Sequence, residues 1–232
     1  MIALPEIRQQ FPIFNETVKG AQVAFLDTGA SAQKPQVVID AEREVYEKYY
    51  ANIHRGVYFF SEKSTQEYEL VRDVVRKFIG AEDSREVIFT KGTTESINLV
   101  AQSYGRMVLE PGDVVIISEM EHHANIVPWQ MICEERGAEL KVIPINDQGE
   151  LLLDHYLEML NERVKIVSVT QVSNVLGTIN DVKHIIEAAH KVGAKVLIDG
   201  AQGAVHQPLN VTELDVDFYA FSAHKLYGPT GV

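Results

Sequence analysis

The stretch KVLIDGAQ at 195–202, read with DFYAFSAHKLYGPTGV at 217–232, decides how this chain folds. Each is an apolar, β-rich run that empties into polar residues. The first ends in Asp199 and Gln202, the second in Ser222, His224 and Lys225. Lys225 follows Asp199 by 26 residues, the length of one strand-to-strand connection in an α/β sheet. Two parallel strands so connected bring their terminal residues to one carboxyl edge, where open sheets bind ligands.

Working outward, the same alternation continues. Apolar runs stand at EVIFT (86–90), DVVIIS (113–118), ELKVIPI (139–145) and VKIVSVTQVS (164–173). Between them lie helical patterns: TTESINLVAQSYGRMVL from 93, the segment around Trp129, LDHYLEML from 153 and VKHIIEAAHKVG from 182. A βαβ series of this kind predicts an α/β fold with a mainly parallel sheet and helices on both faces. Gly193 is placed to end its helix, and Pro128 suits a first helical turn. Before residue 86 the pattern changes to two long helical segments, QVVIDAEREVYEKYY and STQEYELVRDVVRKFIG, flanking NIHRGVYFF. Ser64 and Glu67 have capping-box spacing at the start of the second. The expected organisation is an N-terminal helical arm over 1–84 and a ligand-binding sheet domain over 85–232.

Composition bounds the function. With 232 residues, 46% hydrophobic and 23% charged, the chain has an ordinary soluble globular composition, enough for one large domain or two small ones with a large core. Its formal charge of −12 argues against nucleic acid or an anionic membrane as the main partner. No apolar stretch reaches the length of a membrane span and the N-terminus has no uninterrupted apolar core, so a cytoplasmic protein is expected. Cys133 is the only cysteine, which rules out an internal disulfide; its helical, apolar setting reads as a buried structural thiol. The eight histidines lack metal-ligand spacing, and no metal is expected.

A strand-end lysine can form a Schiff base, and a carboxylate beside it can keep a pyridinium nitrogen protonated. Lys225 and Asp199 therefore read together as a pyridoxal phosphate site. The phosphate needs a cradle, and KGTTES at 91–96 supplies one: Gly92, Thr93 and Thr94 follow a strand and open a helix, whose free amides and dipole favour a dianion. No GxGxxG or GxxxxGK[ST] occurs, which removes the usual support for dinucleotides and nucleoside triphosphates. EMEHHANI at 119–126 offers His122 or His123 to stack on an aromatic ring. Asn174, in QVSNVLG, suits a donor to a substrate carboxylate or to the cofactor's phenolic oxygen.

In order and spacing, LDTGASAQKP (26–35), NIHRGVYFFS, KGTTESINLVA, EMEHHANIVPWQ, TQVSNVLGT, LIDGAQ and FSAHKLYGPTGV resemble the Suf-type cysteine desulfurases, in the class V aminotransferase-like branch of fold-type I enzymes. EHHANIVPWQ with SAHKLYGPTG is specific to the desulfurase and selenocysteine lyase group. The resemblance implies that Lys225 carries pyridoxal 5'-phosphate and moves the substrate α-proton, that His122 stacks on the ring, that Asp199 pairs with the pyridinium nitrogen and that Gln202 donates to the phenolic oxygen. It makes Thr93, Thr94, Ser222 and His224 the phosphate cradle, and Asn174, His54 and Arg55 substrate-side residues.

The implied activity is conversion of L-cysteine to L-alanine, with sulfur passed as a persulfide to a Suf-type acceptor protein for iron–sulfur cluster assembly, in a homodimer. Selenocysteine lyase with L-selenocysteine as substrate, another class V aminotransferase activity, or a non-catalytic pyridoxal phosphate-binding fragment are the alternatives. The family's catalytic cysteine loop has no counterpart here, and Cys133 sits in a different motif. Family members also continue well past the position of Val232, so the resemblance predicts an incomplete large domain without its last strand or the C-terminal small domain, inactive by itself.

Overall fold

The computed structural model describes residues 4–232, which form two compact units: Phe89–Ser222, and residues 4–88 together with Ala223–Val232. The larger unit is built on five parallel strands, β3 (Val114–Ser118), β4 (Glu139–Ile143), β5 (Val164–Thr170), β6 (Lys195–Asp199) and β7 (Phe218–Ala220), in the order β4-β3-β5-β6-β7. Two short strands of the other unit, β1 (Thr17–Val18) and β2 (Ala21–Gln22), precede them.

All five residues of β3, Val-Val-Ile-Ile-Ser, are buried, because helices cover both faces of the sheet. Successive side chains point to opposite faces. Val114 and Ile116 pack with Val196 and Ile198 of β6 against Tyr156 of α7 (Leu153–Met159) and Ile185, Ile186 and Ala189 of α8 (Val182–Lys191). Val115 and Ile117 pack with Leu197 against Ile97 of α4 (Thr93–Val100) and Trp129 and Ile132 of α6 (Val127–Arg136). Each fully buried isoleucine or leucine contributes roughly 1.5–3 kcal/mol relative to its exposed state. The α/β sheet, and the helices on both of its faces, are as the sequence predicts.

The chain runs from β3 outward to β4, then returns to β5 on the other side of β3 and continues through β6 to β7. The connections that follow β3 and β5 thus diverge, which opens a crevice outside their carboxyl ends. Pro128 lies in the first turn of α6, and Gly193, with φ 80°, lies just beyond the end of α8, both as expected.

The expected strand over 86–90 does not form. The Val87 N–H donates to the Ser84 carbonyl, and the Val87 carbonyl accepts from the Arg72 guanidinium, so at Val87 local and helix-borne groups take both backbone bonds.

In the smaller unit, α1 (Leu4–Gln9) and the β1–β2 hairpin precede α2 (Gln36–Glu44), which continues as a π-helical turn to Tyr49. The hairpin turns on Lys19 and Gly20, both with positive φ, the backbone a two-residue right-twisted turn demands. The 21-residue α3 (Phe59–Ile79) begins five residues before Ser64, so Ser64 is no cap; its hydroxyl donates to the Tyr49 carbonyl at 2.6 Å and ties the helix to the preceding segment. Gly80, left-handed at φ 70°, closes α3 by donating to the carbonyl of Lys77.

Candidate active site

Five segments of the larger unit reach the carboxyl edge of the sheet. Thr93 is the first residue of α4, entered through Gly92 at φ 117° and ψ 179°, a conformation open in practice only to glycine. The Thr93 N–H donates to Ser222 Oγ at 2.8 Å, and the two hydroxyls share a further 2.8 Å hydrogen bond. Both side chains are buried. The sequence places these residues 129 positions apart, and the fold joins them at a helix N-terminus where two hydroxyls and an α-helical dipole converge. Thr94, next in the helix, is exposed.

Asp199 ends β6 and is 4% exposed; its Oδ1 accepts from the Ala201 N–H at 2.9 Å. Gln202, also buried, leads into the short helix α9 (Gly203–His206). A buried carboxylate at the end of a central parallel strand and an anion-binding helix terminus are what a protonated heteroaromatic phosphate needs, and the residues present fit pyridoxal phosphate.

After β3, His122 is exposed, its ring fixed by an N–H bond from Ala124 to Nδ1 at 3.1 Å. His123 lies edge-on to it with centroids 6.2 Å apart. Asn174 is exposed in the turn after β5, where Gly177 N–H closes on the Ser173 carbonyl.

Beneath His122 lies a network the sequence reading missed. Glu121 is buried and accepts from the Ser118 hydroxyl, from Asn125 Nδ2 at 2.7 Å and from the Thr170 N–H at 2.9 Å. Asn125 Oδ1 in turn accepts from Trp129 Nε1 at 2.9 Å and Ser168 Oγ at 2.6 Å. Burial pushes the Glu121 carboxyl up to about 7 against the pull of these donors, and the charge of Asp199 adds to the rise. Thr170 is the register partner of Asp199 on β6, so Glu121 and Asp199 are linked through one strand residue. The spacing of Glu121, Asn125 and Trp129, four residues apart each time, is the local signal that was available. Gln171 and Tyr219 were also missed: the Tyr219 hydroxyl donates to Gln171 Oε1 at 2.6 Å, and its ring fills the space over Gly200.

The remaining predicted residues belong to the smaller unit. Lys225 is half-buried at the end of a 3-10 turn, Ala223–Lys225, three residues beyond Ser222. His224 Nδ1 shares a 3.0 Å hydrogen bond with Ser31 Oγ; burial, followed by the positive charges of Lys225 and Lys34, holds its ring below the ordinary imidazole value. His54 and Arg55 are exposed in the turn before α3. His54 has a left-handed backbone, φ 70°, its N–H held by Thr65 Oγ1 at 2.9 Å and its ring edge-on to Tyr68. A non-glycine residue in that region is an uncommon, locally enforced conformation.

The chain belongs to the class-V aminotransferase family, whose pattern it matches over residues 24–232. Enzymes of this family depend on pyridoxal phosphate. Among its relatives, the cysteine desulfurase of Dickeya dadantii is 54% identical over 99% of this chain and 56% of its own length, and that of Escherichia coli (strain K12) is 50% identical over the whole of this chain and 57% of its own. The apo structure of a cysteine desulfurase from Thermococcus onnurineus superposes with a TM-score of 0.92 at 38% identity, and the cysteine desulfurase CsdA of Escherichia coli with 0.85 at 41%. Each covers all of this chain, which spans 56% and 57% of those structures respectively. The chain thus spans about half the length of the curated relatives it matches.

Proposed function

We propose that this chain is the cofactor-binding part of a pyridoxal phosphate-dependent cysteine desulfurase. The observation that carries this reading is the buried Thr93–Ser222 pair at the N-terminus of α4, on the same sheet edge as buried Asp199, with Lys225 three residues along the chain from Ser222. Bound there, the cofactor supplies an electron sink for the α-carbon of an amino acid. Thr93 and Ser222 would hold its phosphate, with Thr94 and His224 as further donors. Asp199 keeps the proton on the ring nitrogen, Gln202 donates to the phenolic oxygen, and His122 covers the ring face. Lys225 Nζ attaches the cofactor and then takes the proton from the substrate Cα. Asn174, His54 and Arg55 orient the substrate, the guanidinium suiting its carboxylate.

The substrate is L-cysteine: its Cβ–S bond breaks, the sulfur passes to a thiolate as a persulfide, and Cβ takes a proton to leave L-alanine. Cys133 is unsuited to receive it. It is buried in α6, and burial pushes its thiol up to about 11, far from the thiolate that sulfur transfer needs. The sulfur then goes to an acceptor protein of the Suf type for iron–sulfur cluster assembly, in the cytoplasm. The resemblance to the desulfurases extends the reading to a homodimer of the whole protein.

The test is cofactor attachment and product. Lys225→Ala is expected to abolish the borohydride-reducible adduct, and Asp199→Ala to keep the adduct while losing most turnover. An adduct that survives Lys225→Ala overturns the site; selenide released from L-selenocysteine with no alanine from L-cysteine overturns the substrate.

A further inference from the structure

The carbonyl of His224, the peptide oxygen immediately before Lys225, accepts two hydrogen bonds from a loop 190 positions earlier in the sequence. The Ala32 N–H donates to it at 3.0 Å and Lys34 Nζ at 2.8 Å. Lys34 Nζ also donates to the Ala32 carbonyl at 2.7 Å, so one ammonium ties both strands of the contact together. Ser31 grips the ring of the same histidine. Ala32 is buried, and Pro35, at φ −69°, leads directly from Lys34 into α2, so the ammonium is mounted on a rigid start to a helix. Burial lowers the affinity of Lys34 for its proton, and the nearby charge of Glu42 only partly opposes this. The side chain is directed to two backbone oxygens instead of to a carboxylate.

We propose that Lys34 is a positioning residue for Lys225: by holding the His224 carbonyl it fixes the peptide plane from which the Lys225 side chain departs. This rests on the reading of Lys225 as the attachment lysine. A side chain that must form a covalent bond, release it and then take a proton gains from a fixed root, because a displacement near 1 Å costs about a hundredfold in rate. A flexible loop after β7 would leave the amine to search. Two donors on one carbonyl remove the rotation of that peptide.

The test compares Lys34→Met, which keeps the aliphatic stem and loses the donors, with Lys34→Arg, in the Lys225 and Lys225→Ala backgrounds of the enzyme. Lys34→Met is expected to lower kcat by about 10²-fold with KM within about twofold, and to weaken pyridoxal phosphate binding about tenfold by absorbance titration. Lys34→Arg, which can still donate to both carbonyls, is expected to restore most of the loss. In the Lys225→Ala background, where the cofactor binds without a covalent link, adding Lys34→Met is expected to leave its affinity within about twofold. Equal weakening in both backgrounds, or an unchanged kcat in Lys34→Met, overturns the proposal. Should Lys34→Met not fold, Lys34→Gln, whose amide reaches one carbonyl only, is put through the same comparison and the same outcomes decide. The site reading fails separately: an adduct that persists in Lys225→Ala overturns it and this proposal together, whereas an adduct lost there with Lys34→Met silent overturns this proposal alone.

Discussion

The sheet unit and the helical unit put similarly apolar sequences to different ends. In β3 four consecutive branched residues are at most 2% exposed, and the two helical layers that cover them come from the same 134-residue span, Phe89–Ser222. In α3 the 21 residues bury only Ser61, Ser64 and Ile79, while Val71 and Val74 stand 50% and 57% exposed. Parallel strands must be covered on both sides to exist at all, so the sheet carries its own core. The helix α3 is tied to its neighbours by single contacts such as Ser64 to the Tyr49 carbonyl, and its apolar stripe stands open. The difference predicts that stability is concentrated in the sheet unit and that substitutions in α3 leave it almost untouched.

The hardest test of that comparison is Trp129→Ala. Trp129 is fully buried between α6 and the sheet, and its indole N–H donates to Asn125 in the network under His122. Removal is expected to destabilise by about 3–5 kcal/mol, chiefly through the cavity, since Asn125 Oδ1 keeps its hydrogen bond from Ser168. Urea unfolding followed by far-ultraviolet circular dichroism measures it; a loss below about 1 kcal/mol would deny the sheet unit its dominant role.

Next in size is a pH effect. Glu121 has its carboxyl raised from the ordinary value to about 7, chiefly by burial, so the folded protein holds a proton that the unfolded chain releases near pH 4.5. The folded state binds more protons than the unfolded between those values. Its contribution is therefore complete below about pH 4.5 and is lost as pH rises to about 7, a change on the order of a few kcal/mol. Glu121→Gln, which can still accept from Thr170 and Ser118, is expected to remove this slope. The readout is the difference between the two proteins' unfolding free energies across that window, since other groups titrate in both. A parallel pair of curves would contradict it.

How much of this was legible in the sequence depends on how local the cause is. DVVIIS reads as a two-sided buried strand because five of its residues can only satisfy that pattern, and Asp199, Ser222 and Lys225 read as site residues because they end such runs. EVIFT is also apolar and β-rich yet forms no strand, and the Val87 carbonyl is taken by the guanidinium of Arg72, 15 residues away. The Ser64–Glu67 capping box failed for a related reason: α3 already starts at Phe59, and Ser64 is spent on Tyr49. Glu121 was legible only in its spacing to Asn125 and Trp129; its third donor, Thr170, lies 49 residues downstream and only the β3–β5 pairing brings it near.

A smaller effect sharpens the comparison within the sheet unit. A Cβ on Gly200 would lie 2.2 Å from the Tyr219 ring, which is anchored to Gln171. Gly200→Ala must push that ring aside, and the expected cost is about 1–3 kcal/mol. Tyr219→Phe, which only drops the hydroxyl bond, is expected to cost about 1 kcal/mol. If the alanine variant is no worse than the phenylalanine one, the close approach of backbone and ring is not a constraint.

The smallest expected effect is in α3, and it cuts most directly at the contrast between the units. Val74 lies on the open face of the helix, 57% exposed, between the ion pairs that Asp73 makes with Arg76 and Lys77. Val74→Ser removes apolar surface that is already in water and exchanges one modest helix former for another of similar propensity, so folding stability is expected to change by less than about 0.5 kcal/mol. The same substitution at buried Val196 in β6 would open a cavity and strand a hydroxyl, at about 2 kcal/mol or more. Paired urea titrations of Val74→Ser and Val196→Ser therefore set the two regions side by side with one chemical change. Similar losses at both positions would mean that the face of α3 is covered in solution and that the two units share the burden of stability.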